Sequence, residues 1–424
     1  FTMMNLERIV VGIQGLGISE TAYQNALSYA KERKQGKANN SNNKDADLII
    51  KHADIRRSLM NMKSLIEGQR SLAFWVSQQI DVSLNHSNST IKKNANDMVS
   101  MMTPLIKSFF TDIGMEITND AIQVFGGYGY TKDQGVEQLF RDNRITPIYE
   151  GTNSVQAIDL VFRKILNNNI YNNYISQISK EIQDYEKNEE LAYFVQKFQK
   201  YVELINNFTS WLIEKNKNSK DDVSAACNDY LKVLGYLGLA HSWLKILKIS
   251  YDKFDTNKSF FEDKINTATY YFDKILPRAQ SHYLSAVTGS VTAWNMPNRL
   301  NFLYTVPMFH CNGWCYPWTL AMLHARVICI RNIRAKEIFE LIAEHKITHF
   351  GGAPIILNML ANAPKEEQIK LNHKVYVLTA AAPPPSIIFK KMKELGFEVM
   401  HVYGLTETYG HILQCAWNSE WDKL

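Results

Sequence analysis

The chain reads as mainly α: a four-helix bundle, then a smaller helical domain, then a partial α/β layer. Three observations predict this. Apolar residues recur at helical spacing near the start, as in Leu6, Ile9, Val10, Ile13 and Leu16, and helical patterning continues to about residue 170. Residues 171–290 keep apolar faces, such as Tyr230, Val233, Leu234 and Leu237, but are more polar and rich in Asn, Lys and Tyr. Beyond Pro297, short apolar runs alternate with amphipathic stretches, the pattern of a parallel α/β sheet.

Each element follows in order. The first helix runs to Arg33 and breaks at Gly36; residues 37–45 carry no apolar face and form a polar loop. A second helix is predicted from Asp47 to about Leu84, and a third from about Ala95 to Val124. Pro104 either kinks that third helix or marks its true start. Gly126, Gly127 and Gly129 end it, a short segment over 134–142 leads to a bend at Pro147, and a fourth helix starts at Thr152. Four long helices with short links favour an antiparallel bundle. In the next stretch the wholly polar run Lys215–Asp222 reads as a loop between two helices. Strands are predicted at Leu303–Pro307, Ala325–Ile330, Ile347–Gly352, Val375–Thr379 and Val399–Tyr403, with helices at Glu337–His345 and Lys390–Leu395. The segments are therefore 1–170, 171–295 and 296–424, the last with exposed strand edges that favour aggregation.

Composition narrows the function. A chain of 424 residues has room for roughly two to four domains. The net charge of +5, from 47 basic and 42 acidic residues, is too small to argue for nucleic acid. No apolar run approaches a bilayer's thickness, no signal peptide begins at Phe1, and the absence of an initiator Met suggests processing or a fragment. Five cysteines make no disulfide framework at this length and point to a reducing compartment, the cytoplasm. His310, Cys311 and Cys315 lie close together, but structural zinc takes four ligands and no second pair follows, so no structural metal is expected.

The run Ile148–Gln156 sets one carboxylate, Glu150, on a bend, with Gly151 after it and Thr152 placed to cap the next helix. Taken alone, Glu150 equally suits a helix start, Gly126-Gly127 a helix stop and Arg33 a solvated charge. Together with Met4-Asn5-Leu6-Glu7-Arg8, Ala30-Lys31-Glu32-Arg33 and Gln123–Gly129, the run resembles the C-terminal part of an acyl-CoA dehydrogenase. The extension over 171–290 is similar to the branch acting on 3-methylmercaptopropionyl-CoA.

The resemblance implies FAD as cofactor, an acyl-CoA as substrate and Glu150 as the base that takes its α-proton. It implies flavin contacts at Arg33, Gln123, Gly126, Gly127 and Thr152, often to a neighbouring subunit's flavin. It also implies substrate contacts at Asn5, Arg8 and Gly151. Where many members carry Phe-Gly shortly after that arginine, Gln35-Gly36 stands here. An electron-accepting flavoprotein and a second copy of the chain are the implied partners, with no nucleic acid and no membrane. Two further family domains would precede Phe1 and supply much of the pocket, so the site of this chain alone is expected to be incomplete.

A second set of motifs, Pro307–Trp314, Gly352-Ala353-Pro354, Ala380–Pro384 and Tyr403-Gly404-Leu405-Thr406-Glu407-Thr408, resembles the middle of an AMP-forming acyl-CoA synthetase, a partial α/β adenylating-enzyme fragment. This implies ATP or AMP with Mg²⁺. Thr406 and Glu407 would meet the α-phosphate and the metal beside Tyr403, His310 would stand by the acyl pocket, and Ala381 near the adenine. Ala380 stands where members usually have Gly. No Gly/Ser/Thr-rich phosphate loop ending in Lys-Gly occurs, and the chain stops before the family's catalytic lysine, so no adenylation is expected. Three readings stand: a flavin-dependent dehydrogenase with ligase sequence at its end, an acyl-CoA ligase on a helical scaffold, or a non-catalytic assembly protein or fusion artefact.

Overall fold

The computed structural model describes residues 2–39, 41–167, 170–287, 299–306, 316–380, 384–405 and 410–415. The chain divides into two compact units, Phe1–Ser290 and Val291–Leu424.

Helices make up the first unit. Helix α1 spans Thr2–Glu32. Of its apolar repeat, Ile9 and Leu16 are buried whereas Leu6, Val10 and Ile13 are exposed. Residues 6, 10 and 13 fall on a second face of the helix, which no described element covers. Lys34 and Leu48 then form an isolated antiparallel bridge that closes the polar loop between them. The buried Asp47 fastens this loop: its carboxylate accepts from the Ala38 amide (3.1 Å) and from Lys51 Nζ (3.0 Å). Hydrogen bonds from Ser41, Ala38 and Lys51 hold its carboxyl well below the usual carboxylate range. Asp47 therefore belongs to the loop rather than to a helix start, and α2 begins six residues later, at Ala53–Asn85.

The third predicted helix begins earlier than its apolar pattern suggested. Asn88 caps α3 (Ser89–Leu105), its Oδ1 accepting from the amides of Thr90 and Ile91 at 2.9 and 3.1 Å. Pro104 thus sits inside the helix, where it can give no N–H to the carbonyl one turn back. A π-helical segment, Ile106–Phe110, follows at once and leads into α4 (Thr111–Phe125). Such segments often mark functional places in helices. Then come α5 (Gly127–Tyr130), α6 (Val136–Asn143) and α7 (Asn153–Ile158), which continues as a π-helical segment to Ile165.

Five longer helices complete the unit: α8 (Ile170–Tyr185), α9 (Ala192–Lys215), α10 (Lys220–Asp252), α11 (Lys258–Tyr270) and α12 (Arg278–Ala286). The polar loop before α10 is shorter than predicted, because Ser219 caps the helix by accepting from the Asp222 amide (3.3 Å). One continuous apolar core runs from Ile9 to Ala286. Within it α10 lies against the bundle: Trp243 is fully buried and its indole N–H donates to the Ser64 carbonyl of α2 at 3.1 Å. Gly68 makes room for that ring, since a Cβ there would lie 2.9 Å from Trp243 Nε1.

The second unit is a six-stranded sheet in the order β2-β1-β3-β4-β5-β6: β1 Asn301–Tyr304, β2 Arg326–Cys329, β3 His349–Gly351, β4 Val375–Thr379, β5 Phe397–Leu405 and β6 Gly410–Cys415. All neighbours are parallel except β5 and β6. Helices lie at Tyr316–Met322, Ala335–His345, Pro354–Ala361 and Ser386–Glu394. The helix at Pro354 was not legible as one, because its uniformly apolar run Ile355-Ile356-Leu357 reads equally as strand. On edge strand β2, Val327 is 44% exposed and Cys329 is exposed.

Candidate functional site

The sequence that bends into α7 is held by hydrogen bonds at both ends. The Tyr149 amide donates to the Ile145 carbonyl (3.1 Å), and the Asn153 amide to the Pro147 carbonyl (3.0 Å), closing a compact turn. Within it the half-buried Glu150 has φ +56° and Gly151 φ +89°. Left-handed backbone is ordinary for glycine but costs a glutamate of order 1 kcal/mol or more, and it persists where the surroundings dictate it. Two side chains dictate it here. Gln156 Nε2 donates to the Glu150 carbonyl (3.1 Å), with the Gly151 carbonyl at 3.5 Å. A Cβ at position 151 would lie 2.7 Å from that same amide, so glycine is required twice over.

Asn153 is the second clamp. Its Nδ2 donates to Asp112 Oδ1 (2.7 Å), Thr111 Oγ1 (3.0 Å) and the Ser108 carbonyl (3.1 Å), and its Oδ1 accepts from Lys107 Nζ at 2.9 Å. All four partners lie in or beside the π-helical segment. Lys107 is fully buried. Burial brings its ammonium down to about 8; the Asp112 and Glu150 carboxylates oppose that shift and Arg8 adds to it. Burial likewise pushes the Asp112 carboxyl up, against the Asn153 bond and the charges of Lys232, Lys107 and Arg144. Arg8, half-buried on the opening turns of α1, and Glu150 therefore act on one ammonium in opposite senses. Arg8 Nε is buried and has no hydrogen-bond partner among the described residues. Asn5, one turn earlier on α1, is half-buried. Tyr149 OH donates to Gln14 Oε1, tying the turn to the same helix.

Thr152 stands at the N-cap position of α7, but its side chain makes no capping bond and is exposed. The capping expectation is thus corrected: Asn153 and Gln156 anchor this helix start instead.

A cavity of about 760 Å³ lies elsewhere on the unit, where α1 ends and α4 gives way to α5. Arg33, Gln123, Gly126 and Gly127 all line it, with Gln35, His52 and Tyr128. The Arg33 guanidinium lies 5.5 Å from the Tyr128 ring centre, and its backbone is pinned by the Ile49 amide at 2.8 Å. Gly126 has φ +63°, which turns the chain sharply at the end of α4. His52 bonds the Gln35 carbonyl at 2.8 Å, so the Gln35-Gly36 departure is built into this wall. The volume, a guanidinium, a free amide and glycine backbone suit a nucleotide's phosphates and ring. Glu150 and Thr152 are not among the lining residues.

On the sheet, the second set of motifs follows the carboxyl ends of successive strands. Pro307–Trp314 comes after β1, Gly352-Ala353-Pro354 after β3, Ala380–Pro384 after β4, and Tyr403–Thr408 at the end of β5. Ligands of open α/β sheets bind at that edge, near where strand order reverses, here between β1 and β3. Tyr304 OH and Thr379 Oγ1, buried at the ends of β1 and β4, have no hydrogen-bond partner among the described residues. His310, Ala381, Thr406 and Glu407 lie outside the described residues, as do Cys311, Cys315 and the Tyr403 side chain. Among the described residues no group of three or more His, Cys, Asp or Glu could hold a metal ion. No helix among them is long and apolar enough to cross a membrane.

Lys107, Asp112, Asn153 and Gln156 were missed from sequence. The available signal was a lysine inside the apolar run Leu105-Ile106-Lys107-Ser108-Phe109-Phe110.

Comparison with known proteins separates the chain in the same way. Residues 1–165 match the acyl-CoA dehydrogenase C-terminal domain, 175–297 the acetyl-CoA dehydrogenase C-terminal like domain, and 278–424 the AMP-binding enzyme family. The 3-methylmercaptopropionyl-CoA dehydrogenase of Ruegeria pomeroyi is 42% identical over 166 residues, 39% of this chain and 28% of that protein. The peroxisomal acetate/butyrate–CoA ligase AAE7 of Arabidopsis thaliana is 51% identical over 144 residues, 34% of this chain and 25% of that protein. The chain thus spans roughly a quarter of the length of these curated relatives. An acyl-CoA dehydrogenase complexed with FAD from Bacillus anthracis shares the fold, with a TM-score of 0.54 and 17% identity over 68% of this chain and 49% of that one.

Proposed function

We propose that this chain, in which acyl-CoA dehydrogenase C-terminal domains over residues 1–297 meet AMP-binding sequence over 278–424, serves an FAD-dependent α,β-dehydrogenation of an acyl-CoA thioester. The carrying observation is Glu150, whose backbone is held at positive φ by the Gln156 and Asn153 clamps. A carboxylate carried on a fixed turn suits proton abstraction from carbon. Glu150 takes the α-proton, Gly151 keeps the backbone low beside the thioester, and Arg8 and Asn5 border it from α1. Arg33, Gln123, Gly126 and Gly127 would hold the nucleotide part of FAD, that of a neighbouring copy, with exposed Thr152 near the flavin. The flavin, when bound, supplies the acceptor for the β-hydride.

The likeness to the Ruegeria enzyme favours 3-methylmercaptopropionyl-CoA as the thioester. An electron-accepting flavoprotein would then reoxidise the flavin. Free thiols at Cys227 and Cys329 are in keeping with a reducing compartment, the cytoplasm. Reduction of an artificial dye by the FAD-loaded chain with 3-methylmercaptopropionyl-CoA tests the reading. Glu150→Gln should lower turnover by about 10²- to 10⁴-fold. Undiminished turnover in that variant contradicts it.

A second reading concerns the sheet. Its motifs follow the carboxyl ends of strands in sequence, which supports descent from an enzyme that adenylates a carboxylic acid; by resemblance Thr406 and Glu407 would meet phosphate and Mg²⁺. ATP–pyrophosphate exchange dependent on acetate or butyrate would establish that activity; its absence would leave the dehydrogenase reading alone.

A further inference from the structure

Of the two side chains that clamp the Glu150 turn, Asn153 is the one that meets a buried ammonium. We propose that Lys107 is a positioning residue for the base: its ammonium, donating to Asn153 Oδ1, holds the Glu150 turn closed. The inference rests on Glu150 being the base; the hold itself is a matter of geometry.

Four observations carry it. Lys107 is fully buried, on the π-helical segment Ile106–Phe110, whose extra residue per turn changes the direction of the side chains after it. Its ammonium donates at 2.9 Å to Asn153 Oδ1, for which the other donor is Thr111 Oγ1 at a longer 3.4 Å. The three bonds from Asn153 Nδ2 fix the plane of the amide, so that Oδ1 faces the lysine. Finally, the Asn153 backbone amide closes the turn onto the Pro147 carbonyl at 3.0 Å. Removing the ammonium leaves a half-buried carbonyl poorly satisfied at the point where the turn is tied.

The charged groups facing this pair come from every side. Arg8 lies on α1, Asp112 on α4 and Glu150 on the turn itself; Lys232 on α10 and Arg144 just after α6 act on Asp112. A plain structural salt bridge would keep its charge far into alkali. Here the ammonium, brought down to about 8 by burial, loses its proton in an accessible range. A neutral amine still donates to Asn153, but a charge-assisted bond is about twice as strong as a neutral one.

The test is amide hydrogen exchange on the full chain without flavin, expressed as protection relative to the unstructured rate. Protection at the amides of Asn153 and Gln156 should fall about fivefold as pH rises through 8, while the α10 amides keep theirs. In Lys107→Met both turn amides should be poorly protected at every pH and the step at pH 8 should vanish. A turn whose protection ignores pH in the parent, or is unchanged in Lys107→Met, overturns the proposal. If that variant does not fold, Lys107→Gln, which keeps a donor without the charge, takes its place in the comparison. Failure of the dehydrogenase reading appears elsewhere, as undiminished turnover in Glu150→Gln, and leaves these protection values untouched.

Discussion

Gly235 on α10 lies against the Phe109 ring: a Cβ placed on the glycine would come within 2.5 Å of two ring carbons. Phe109 belongs to the π-helical segment two residues beyond Lys107, so the helical extension presses directly on the element that anchors the Glu150 turn. Asn228, two helical turns earlier on α10, adds a 3.4 Å bond to Ser154 in α7. Gly235→Ala should therefore cost about 1–3 kcal/mol in urea unfolding, the range for overpacking a core. The same variant should also loosen the Asn153 amide. Unchanged stability would mean that α10 is not seated as described.

Gly151→Ala should destabilise for two reasons at once, its φ of +89° and the 2.7 Å approach to Gln156 Nε2. A loss of about 1–3 kcal/mol in the same measurement is expected. Gly127→Ala, with open space at its Cβ and no positive φ, should cost well under that.

Lys107 also predicts how stability varies with pH. Its folded pKa, about 8, lies below the ordinary lysine value of 10.5. Below pH 8 both states carry the proton and the burial penalty is fully present. Between pH 8 and 10 the unfolded chain holds more protons, so stability rises with pH. At about 1.4 kcal/mol per unit, the relief approaches roughly 2–3 kcal/mol by pH 10. Comparing urea midpoints of the parent and Lys107→Met over that window checks it. The parent should gain on the variant even as its turn amides lose protection.

His241 predicts the acid side. Burial lowers its pKa below the ordinary histidine value of 6.5, although Glu181, 2.7 Å away, opposes the shift. As pH falls through 6.5 the unfolded imidazole takes up a proton that the folded one resists, so stability should drop between pH 7 and 5. Thermal unfolding of the parent should show the drop, and His241→Gln should flatten it.

Much of this was legible in the sequence, and the failures have physical causes. Helical spacing placed the long helices, and four motif residues, Arg33, Gln123, Gly126 and Gly127, meet in one cavity. Boundaries set by side chains rather than by periodicity were misplaced. Asp47 tied a loop instead of opening a helix, and Asn88 began one six residues before the apolar pattern did. Thr152 has the right residue type for a cap and sits at the cap position, yet the bonds come from Asn153 and Gln156. Such choices depend on what stands opposite in space. The same holds for Lys107, whose lysine looks like any surface charge until the π-helical segment turns it inward.

The central claim is that the Arg33 cavity receives the nucleotide part of FAD while Glu150 acts as the base. The most direct measurement is calorimetric titration of FAD and of ADP into the full chain, with Arg33→Met alongside. The account predicts that both ligands bind, that Arg33→Met weakens both by about tenfold or more, as loss of a charge-assisted contact requires, and that Glu150→Gln leaves ADP affinity unchanged. Binding of neither ligand, or equal binding by Arg33→Met, would contradict it.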